Sequence, residues 1–171
     1  TIAGRRVSQF TNRIDLITGT RATTDRTHIM GVQLLNADGH SVRDAFPLLL
    51  RGAVVDVYEG NGRWGYRDVS PQLMTFSPGE FQPLAENLDV DASTLQTLRV
   101  NLSRSDDVIF SPYAPIAVKT DVETRVEYEP LRQRMRIGGG SPRVMGYSVR
   151  FDPQPSALDS RRLTDGSRLA V

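Results

Sequence analysis

The most constraining feature of this sequence is a two-residue alternation that runs from Val122 to Ile137. Before Pro130, apolar or β-branched residues alternate with charged ones, as Val122, Thr124, Val126 and Tyr128 against Glu123, Arg125, Glu127 and Glu129. After Pro130 the alternation continues, as Leu131, Gln133, Met135 and Ile137 against Arg132, Arg134 and Arg136. Because successive side chains of a β-strand point to opposite faces, this pattern predicts two strands that each bury one face.

The turn at Pro130 also predicts how these two strands pair. Proline suits the second position of a β-turn because its φ is already fixed. Such a turn pairs Glu129 with Arg132 and Glu127 with Arg134, and each opposite-charge pair contributes about 0.2–1 kcal/mol. We therefore expect the arginines of the second strand to form a solvated ion-pair face.

Turn signals separate further segments with the composition of strands, at residues 27–36, 48–58, 63–68, 94–102 and 143–151. Asn61-Gly62 is the strongest hairpin signal, since both residues accept positive φ. Residues 69–93 are rich in Pro and Ser and predict a long surface loop. The predicted fold class is all-β: an antiparallel sandwich or partly open barrel of about eight or nine strands, with long loops and little helix.

The length of 171 residues predicts one domain with a tail at each end. A chain of this size can bury a hydrophobic core without disulfide or metal support. We expect residues 1–26 to form an N-terminal arm or tether, residues 27–152 the β domain, and residues 153–171 a C-terminal linker. The last segment is Pro-flanked and rich in Arg and Ser, which is typical of linkers.

Composition argues against several classes of function. The chain has no cysteine, which excludes a disulfide framework, a thiolate metal site and a cysteine nucleophile. Two histidines, His28 and His40, leave little for histidine-based catalysis, and neither G-x-S-x-G nor H-E-x-x-H occurs. We therefore identify no catalytic set and predict no metal or cofactor, although whether a parent chain is an enzyme stays open.

Charge and hydropathy bear on partners in the same way. With 21 basic and 20 acidic residues the net charge is +1, so no overall field favours nucleic acid or anionic lipid, and we expect no nucleic acid partner. The longest uncharged apolar stretch, residues 45–50, is far shorter than the roughly 20 residues that a membrane span needs. We therefore expect no direct membrane insertion by this chain.

One cluster of residues is a candidate site. Arg51 interrupts an apolar stretch and is costly there unless it is paired, so Asp56 is its candidate partner in a structural Arg–carboxylate clamp. Trp64, the only tryptophan, follows the predicted hairpin turn. Two interpretations stay open: Trp64 belongs to the core beside that clamp, or Trp64, Tyr58 and Tyr66 form a ligand-binding platform at a sheet edge.

The stretch from Pro47 to Trp64, PLLLRGAVVDVYEGNGRW, resembles the LYxRGxVxDxYDGxxW-like stretch of bacterial membrane-anchored transglutaminase-like proteins. Weaker similarities lie at residues 14–19, 27–32, 108–118 and 147–149. The resemblance implies an extracytoplasmic β-rich region that follows membrane helices and precedes a papain-like Cys-His-Asp core. Because this chain has no cysteine, that core would lie outside it, and Arg51, Asp56 and Trp64 would be framework residues.

Two functions from different classes follow as hypotheses. The resemblance implies a non-catalytic domain, periplasmic or at the cell surface and tethered to the membrane through its parent chain. Such a domain would position the downstream transglutaminase-like core of the same chain, its partner, and help to present protein or peptide substrates. The aromatic cluster supports the alternative, a stand-alone secreted module that binds glycan or peptide through Trp64, Tyr58 and Tyr66.

Overall fold

The computed structural model describes residues 28–42, 48–52, 54–67, 69–85, 90–103, 107–139 and 143–153, together with the backbone of residues 14–15. Within these residues the regular secondary structure is β-strand without helix, so the prediction of an all-β fold is confirmed. Most of the predicted N-terminal arm and all but the first residue of the predicted C-terminal linker lie outside the described residues.

Twelve antiparallel strands occur in the described part of the chain. They are β1 (Ile14–Asp15), β2 (Met30–Leu35), β3 (Val57–Gly60), β4 (Arg63–Gly65), β5 (Gln72–Phe76), β6 (Gln82–Pro83), β7 (Gln96–Leu102), β8 (Val108–Ile109), β9 (Pro115–Thr120), β10 (Thr124–Glu129), β11 (Arg134–Ile137) and β12 (Gly146–Phe151). Three of them, β1, β6 and β8, are two-residue pairings, and these short strands bring the number above that expected from the sequence.

Two of the three sheets that these strands form share one core. The four-stranded sheet has the order β5-β10-β11-β8 and the five-stranded sheet the order β2-β7-β12-β9-β6. Inward-facing side chains of both sheets belong to a single buried cluster, which includes Phe76, Ile109, Val126, Tyr128 and Met135 from the first sheet and Leu98, Val100, Val118, Tyr147 and Val149 from the second. Two sheets that bury their facing sides in this way form a β-sandwich.

The alternation noted in the sequence decides which side of each central strand faces the core. In β10, Thr124 is 1% exposed and Val126 is fully buried, whereas Arg125 between them is exposed. In β7, Leu98 and Val100 are fully buried, and Arg99 between them is exposed. Each fully buried aliphatic side chain stabilises the fold by about 1.5–3 kcal/mol.

The prediction of a long surface loop over residues 69–93 is wrong in part. β5 lies in this segment and pairs with β10, and β6 pairs with β9. Phe76 is fully buried and Leu84 is 3% exposed, so both belong to the core. The segment escaped recognition because β5 is an edge strand, and Leu73 in its middle faces solvent at 78% exposure.

The third sheet is small, with the order β1-β4-β3. Its β3–β4 hairpin turns at Asn61-Gly62 as predicted, with φ values of 51° and 70°, the positive values that a type I′ turn requires. The strand predicted over residues 48–58 is present only at its end, because β3 begins at Val57. Arg51, further upstream, forms a single bridge with Ser111.

The β10–β11 hairpin has a different register from the predicted one. Glu129 pairs with Arg134, and Glu127 pairs with Arg136. The predicted partner of Glu129 was Arg132, so the prediction is wrong by two residues. A shift of two keeps every side chain on the face that the alternation assigned to it.

A longer loop causes this shift. The predicted turn is present, since the Arg132 N–H donates to the Glu129 carbonyl at 3.2 Å. The loop then continues through Gln133, which has a φ of 50° and is 6% exposed. The Oε1 atom of Gln133 accepts a hydrogen bond from the Ala114 N–H at 3.0 Å. This contact with a segment outside the hairpin holds the loop in its longer form.

Candidate functional site

The small sheet meets the β10–β11 hairpin at a buried arginine, Arg132. Its side chain is 5% exposed, and its Nη2 atom lies 2.9 Å from Asp56 Oδ2 and 3.1 Å from Asp56 Oδ1. Asp56 immediately precedes β3, and its side chain is 44% exposed. This ion pair therefore joins the small sheet to the sandwich at the boundary between interior and solvent.

Arg132 has further partners on either side of that pair. Its Nη1 atom donates to Glu129 Oε2 at 3.0 Å, and Nη2 also donates to the Arg67 carbonyl at 2.6 Å. Glu129 accepts a longer hydrogen bond from Arg134 Nη1, at 3.4 Å. A planar guanidinium with several fixed donors can bridge three chain segments in this way, whereas a lysine would offer only a point charge.

The aromatic ring of Tyr66 covers this cluster. Its centroid lies 5.4 Å from Arg132 Cζ and 5.3 Å from Arg134 Cζ. The prediction of a solvated arginine face is therefore wrong for these two arginines, each 5% exposed, because the small sheet covers them. Arg136 lies further out, is 35% exposed and pairs with Asp107 at 2.6 Å.

Arg51 lies beside the cluster, with partners other than Asp56. Its Nη1 atom donates to the Arg132 carbonyl at 3.3 Å, and its guanidinium lies 4.9 Å from the centroid of Tyr113. Its backbone exchanges two hydrogen bonds with Ser111, at 2.8 and 3.3 Å. The carboxylate clamp expected from the sequence thus has Arg132, and not Arg51, as the partner of Asp56.

The surroundings of Asp56 and Arg132 favour their charged forms. Partial burial acts to raise the pKa of Asp56, but hydrogen bonds from the Arg67 N–H and Arg132, with the attraction of both arginines, hold that pKa below its ordinary value of 3.8. Burial acts to lower the pKa of Arg132, and its bonds to Glu129 and Asp56 outweigh that effect and raise it. Neither group exchanges protons near neutral pH, so the cluster is suited to anchoring.

Tyr58 and Trp64 lie near the turn of the same hairpin and pair across it. Their ring centroids are 5.1 Å apart, with the ring planes inclined at 48°. Tyr58 is 57% exposed and Trp64 is 37% exposed, and neither belongs to the core cluster. The Tyr58 hydroxyl accepts a hydrogen bond from the Gly62 N–H at 3.2 Å, which ties the ring to the turn.

The structure therefore divides the three aromatic residues of the predicted platform. Tyr58 and Trp64 form an exposed pair, which we call the aromatic pair. Tyr66 is half-buried and contacts the guanidinium groups of Arg132 and Arg134. Tyr66 therefore packs on the group formed by Asp56, Glu129, Arg132 and Arg134, which we call the anchoring cluster.

The structure also contains a contact between His28 and Ser103 that could not be predicted from the sequence. His28 Nδ1 lies 2.8 Å from Ser103 Oγ, and both side chains are exposed. The antiparallel pairing of β2 with β7 brings these two residues together. Among the residues that the structure describes, no carboxylate joins them, so the pair lacks the third group that orients the base of a nucleophilic site.

The anchoring residues Glu129, Arg132 and Arg134 were not identified as a site from the sequence. No local signal marks them, because an arginine row looks the same whether solvent or another sheet covers it. The covering segment, residues 56–67, lies far away in the chain.

Comparison of the chain with family models, with curated proteins and with solved structures finds no match. The resemblance to transglutaminase-like proteins thus has no support from these comparisons. Within the described ranges, no helix is long and apolar enough to cross a membrane. The same ranges contain no group of three or more His, Cys, Asp or Glu side chains that could hold a metal ion.

Proposed function

We propose that this chain is a non-catalytic binding domain that recognises a peptide segment through the aromatic pair. The observation that carries this proposal is that Tyr58 and Trp64 contact each other at 5.1 Å and yet remain 57% and 37% exposed. Tyrosine and tryptophan dominate the energetics of protein recognition sites, and contiguous exposed apolar surface marks such sites.

The anchoring cluster supports this proposal because it holds the hairpin in place. Asp56 precedes β3 and Arg67 follows β4, and both bind the same guanidinium of Arg132. The hairpin that carries the aromatic pair is thereby fixed at both of its ends. A binding surface on a fixed element loses less conformational entropy when it captures a ligand.

The inclination of the two rings favours a peptide over a glycan. At 48° the rings do not form one flat surface. An inclined pair of rings suits a branched or cyclic side chain, as aromatic-lined grooves suit proline-rich segments.

Tryptophan fluorescence can test the proposal directly, since Trp64 is the only tryptophan. A library of dodecapeptides, including proline-rich sequences, is screened on an array, and the captured peptides are titrated in solution. We expect a saturable change in Trp64 emission, and Tyr58→Ala should weaken binding about tenfold or more. Leu73→Ala, at a residue that is 78% exposed on β5, is the matched control and should leave the affinity unchanged.

Two results would overturn the peptide-binding proposal. One is a flat response of Trp64 to every peptide, and the other is an affinity that Tyr58→Ala and Leu73→Ala affect equally. A series of chitin oligosaccharides run in parallel assigns the aromatic pair to glycan binding if only these sugars change the emission.

A second proposal is the accessory role that the stretch at residues 47–64 implies. What supports it is that two charged residues of this stretch make framework contacts, Arg51 with Ser111 and Asp56 with Arg132. In this proposal the domain is extracytoplasmic and tethered to the membrane through its parent chain. It positions a downstream transglutaminase-like core, and the aromatic pair presents the substrate peptide to that core.

The parent gene distinguishes the two proposals. Membrane helices encoded upstream and a Cys-His-Asp core encoded downstream support the accessory role. A secretion signal with neither of these features contradicts it and leaves the stand-alone binding domain.

A further inference from the structure

The outer face of the five-stranded sheet carries basic side chains that the proposed peptide site does not use. The strand register places Ser148 on β12 directly beside Arg99 on β7 and Lys119 on β9. Directly paired residues share one face, with their β-carbons about 4.5–5.5 Å apart. Arg150 lies two residues further along β12 and therefore shares the same face. Three basic residues are thus neighbours of Ser148 on this face.

Phe81 brings two of these cations together. Its ring centroid lies 4.1 Å from Arg150 Cζ and 4.9 Å from Lys119 Nζ, so the two charges are within about 9 Å of each other. The register of β6 on β9, continued by one residue, places Phe81 next to Lys119 on this face. Ser148, in the middle of the group, is 8% exposed.

These cations form no ion pair within the part of the chain that the structure describes, although Asp121 and Asp152 lie two residues along the chain from Lys119 and Arg150. No carboxylate there forms an ion pair with Arg99, Lys119 or Arg150. The four-stranded sheet differs in this respect, since Asp56, Glu129 and Asp107 pair with its arginines. Like charges held close together repel one another, and an anion bound between them removes that repulsion.

We propose that this face binds a phosphate group. Arg99 and Arg150 supply planar forks that match the oxygens of a phosphate, Lys119 supplies a point charge, and the Ser148 hydroxyl supplies a neutral donor at the centre. A free phosphate compound and a phospholipid headgroup share this chemistry. The site lies on a different sheet from the aromatic pair and does not depend on the peptide-binding proposal.

Thermal unfolding of the whole chain tests the site with inorganic phosphate as the probe. Phosphate should raise the unfolding temperature of the wild-type protein more than sodium chloride at equal ionic strength, and its concentration dependence yields a dissociation constant. Arg150→Gln should raise that dissociation constant about tenfold, because one charge-assisted contact is lost. Arg125→Gln removes the same charge from β10 of the other sheet and should leave the constant unchanged.

A second variant and a second probe complete the test. Lys119→Gln should also weaken phosphate binding, which keeps the test valid if Arg150→Gln does not fold. Co-sedimentation with phosphatidylglycerol vesicles, compared with phosphatidylcholine vesicles, identifies a lipid headgroup as the source if binding is lost in Arg150→Gln. Binding of inorganic phosphate without vesicle binding identifies a free phosphate compound.

Two results would overturn the phosphate site. The first is an equal response of the wild-type protein to phosphate and chloride together with no vesicle binding. The second is a loss of phosphate affinity in Arg125→Gln as large as that in Arg150→Gln.

Discussion

Arg132 and Asp56 are 76 residues apart in the chain, and their side chains form an ion pair at 2.9 Å that docks the small sheet on the sandwich. The two partners differ in exposure, at 5% for Arg132 and 44% for Asp56. Removing the arginine takes away one of the two guanidiniums that bind the glutamate Glu129, which is 12% exposed. Removing the aspartate leaves an arginine that retains Glu129 and the Arg67 carbonyl.

This asymmetry predicts unequal effects of substitution. Arg132→Met should lower the free energy of unfolding by about 3 kcal/mol, because one partner of a buried ion pair is lost. Asp56→Asn should lower it by about 1 kcal/mol or less, because the Asp56 side chain is 44% exposed and solvent screens its charge. Urea denaturation measures both.

The matched control for Arg132→Met is Arg136→Met, on the same hairpin. Arg136 is 35% exposed and its partner Asp107 is 57% exposed, so we expect a loss below about 1 kcal/mol. Equal losses in Arg132→Met and Arg136→Met would show that Arg132 does not anchor the small sheet.

The lowered pKa of Asp56 predicts a pH dependence of stability. Since its pKa in the folded chain lies below the ordinary value of 3.8, the unfolded chain binds the proton more tightly. The contribution of ionised Asp56 is therefore complete above pH 3.8 and is lost as the pH falls through the folded-state pKa. The arginine partners stay charged throughout this range.

The measurement compares wild type with Asp56→Asn by urea denaturation from pH 7 down to about pH 3. The difference in unfolding free energy should be constant at the upper end and should shrink below about pH 4. A difference that widens on acidification would contradict the lowered pKa.

Replacing Tyr58 or Tyr66 by leucine should have opposite effects on stability and on peptide binding. Tyr66→Leu removes the ring that faces Arg132 and Arg134 and should cost about 1–2 kcal/mol of stability. Tyr58→Leu changes a residue that is 57% exposed, and its effect on stability should stay within about 0.5 kcal/mol. Peptide binding, in contrast, should be lost in Tyr58→Leu.

Thermal unfolding and peptide titration of both variants test this separation. A large loss of stability in Tyr58→Leu would assign the aromatic pair to folding instead of binding. Unchanged stability in Tyr66→Leu would show that the contact of the Tyr66 ring with Arg132 and Arg134 does not stabilise the fold.

Gln133 should contribute to stability through one buried hydrogen bond. Gln133→Leu leaves the buried Ala114 N–H without the acceptor that now lies 3.0 Å away, and the loss should be about 1–3 kcal/mol. Gln33→Leu, at an exposed position of β2, is the matched control and should stay within about 0.5 kcal/mol. Equal effects in urea denaturation would mean that the Gln133 contact does not hold the loop.

Local sequence patterns were sufficient to predict part of the fold. The alternation at residues 124–129 predicted the buried face of β10, and Asn61-Gly62 predicted the β3–β4 turn, because both depend on the conformation of neighbouring residues. The register of β10 on β11 was predicted wrongly, since the contact between Gln133 and Ala114 lies outside the hairpin. The candidate site was predicted in part: Tyr58 and Trp64 form an exposed pair, but Asp56 binds Arg132 and Tyr66 covers the arginines.

The sequence by itself determined the all-β class, the faces of the central strands and the absence of cysteine chemistry. A period of two is a property of the local backbone, and composition does not change on folding. Tertiary structure alone decided that Arg132 and Arg134 are buried, that Asp56 is bound to Arg132, and that Lys119 and Arg150 converge on Phe81. These outcomes depend on which distant segment docks on each sheet face. An exposed and a covered arginine row have the same sequence pattern and differ only in that docking.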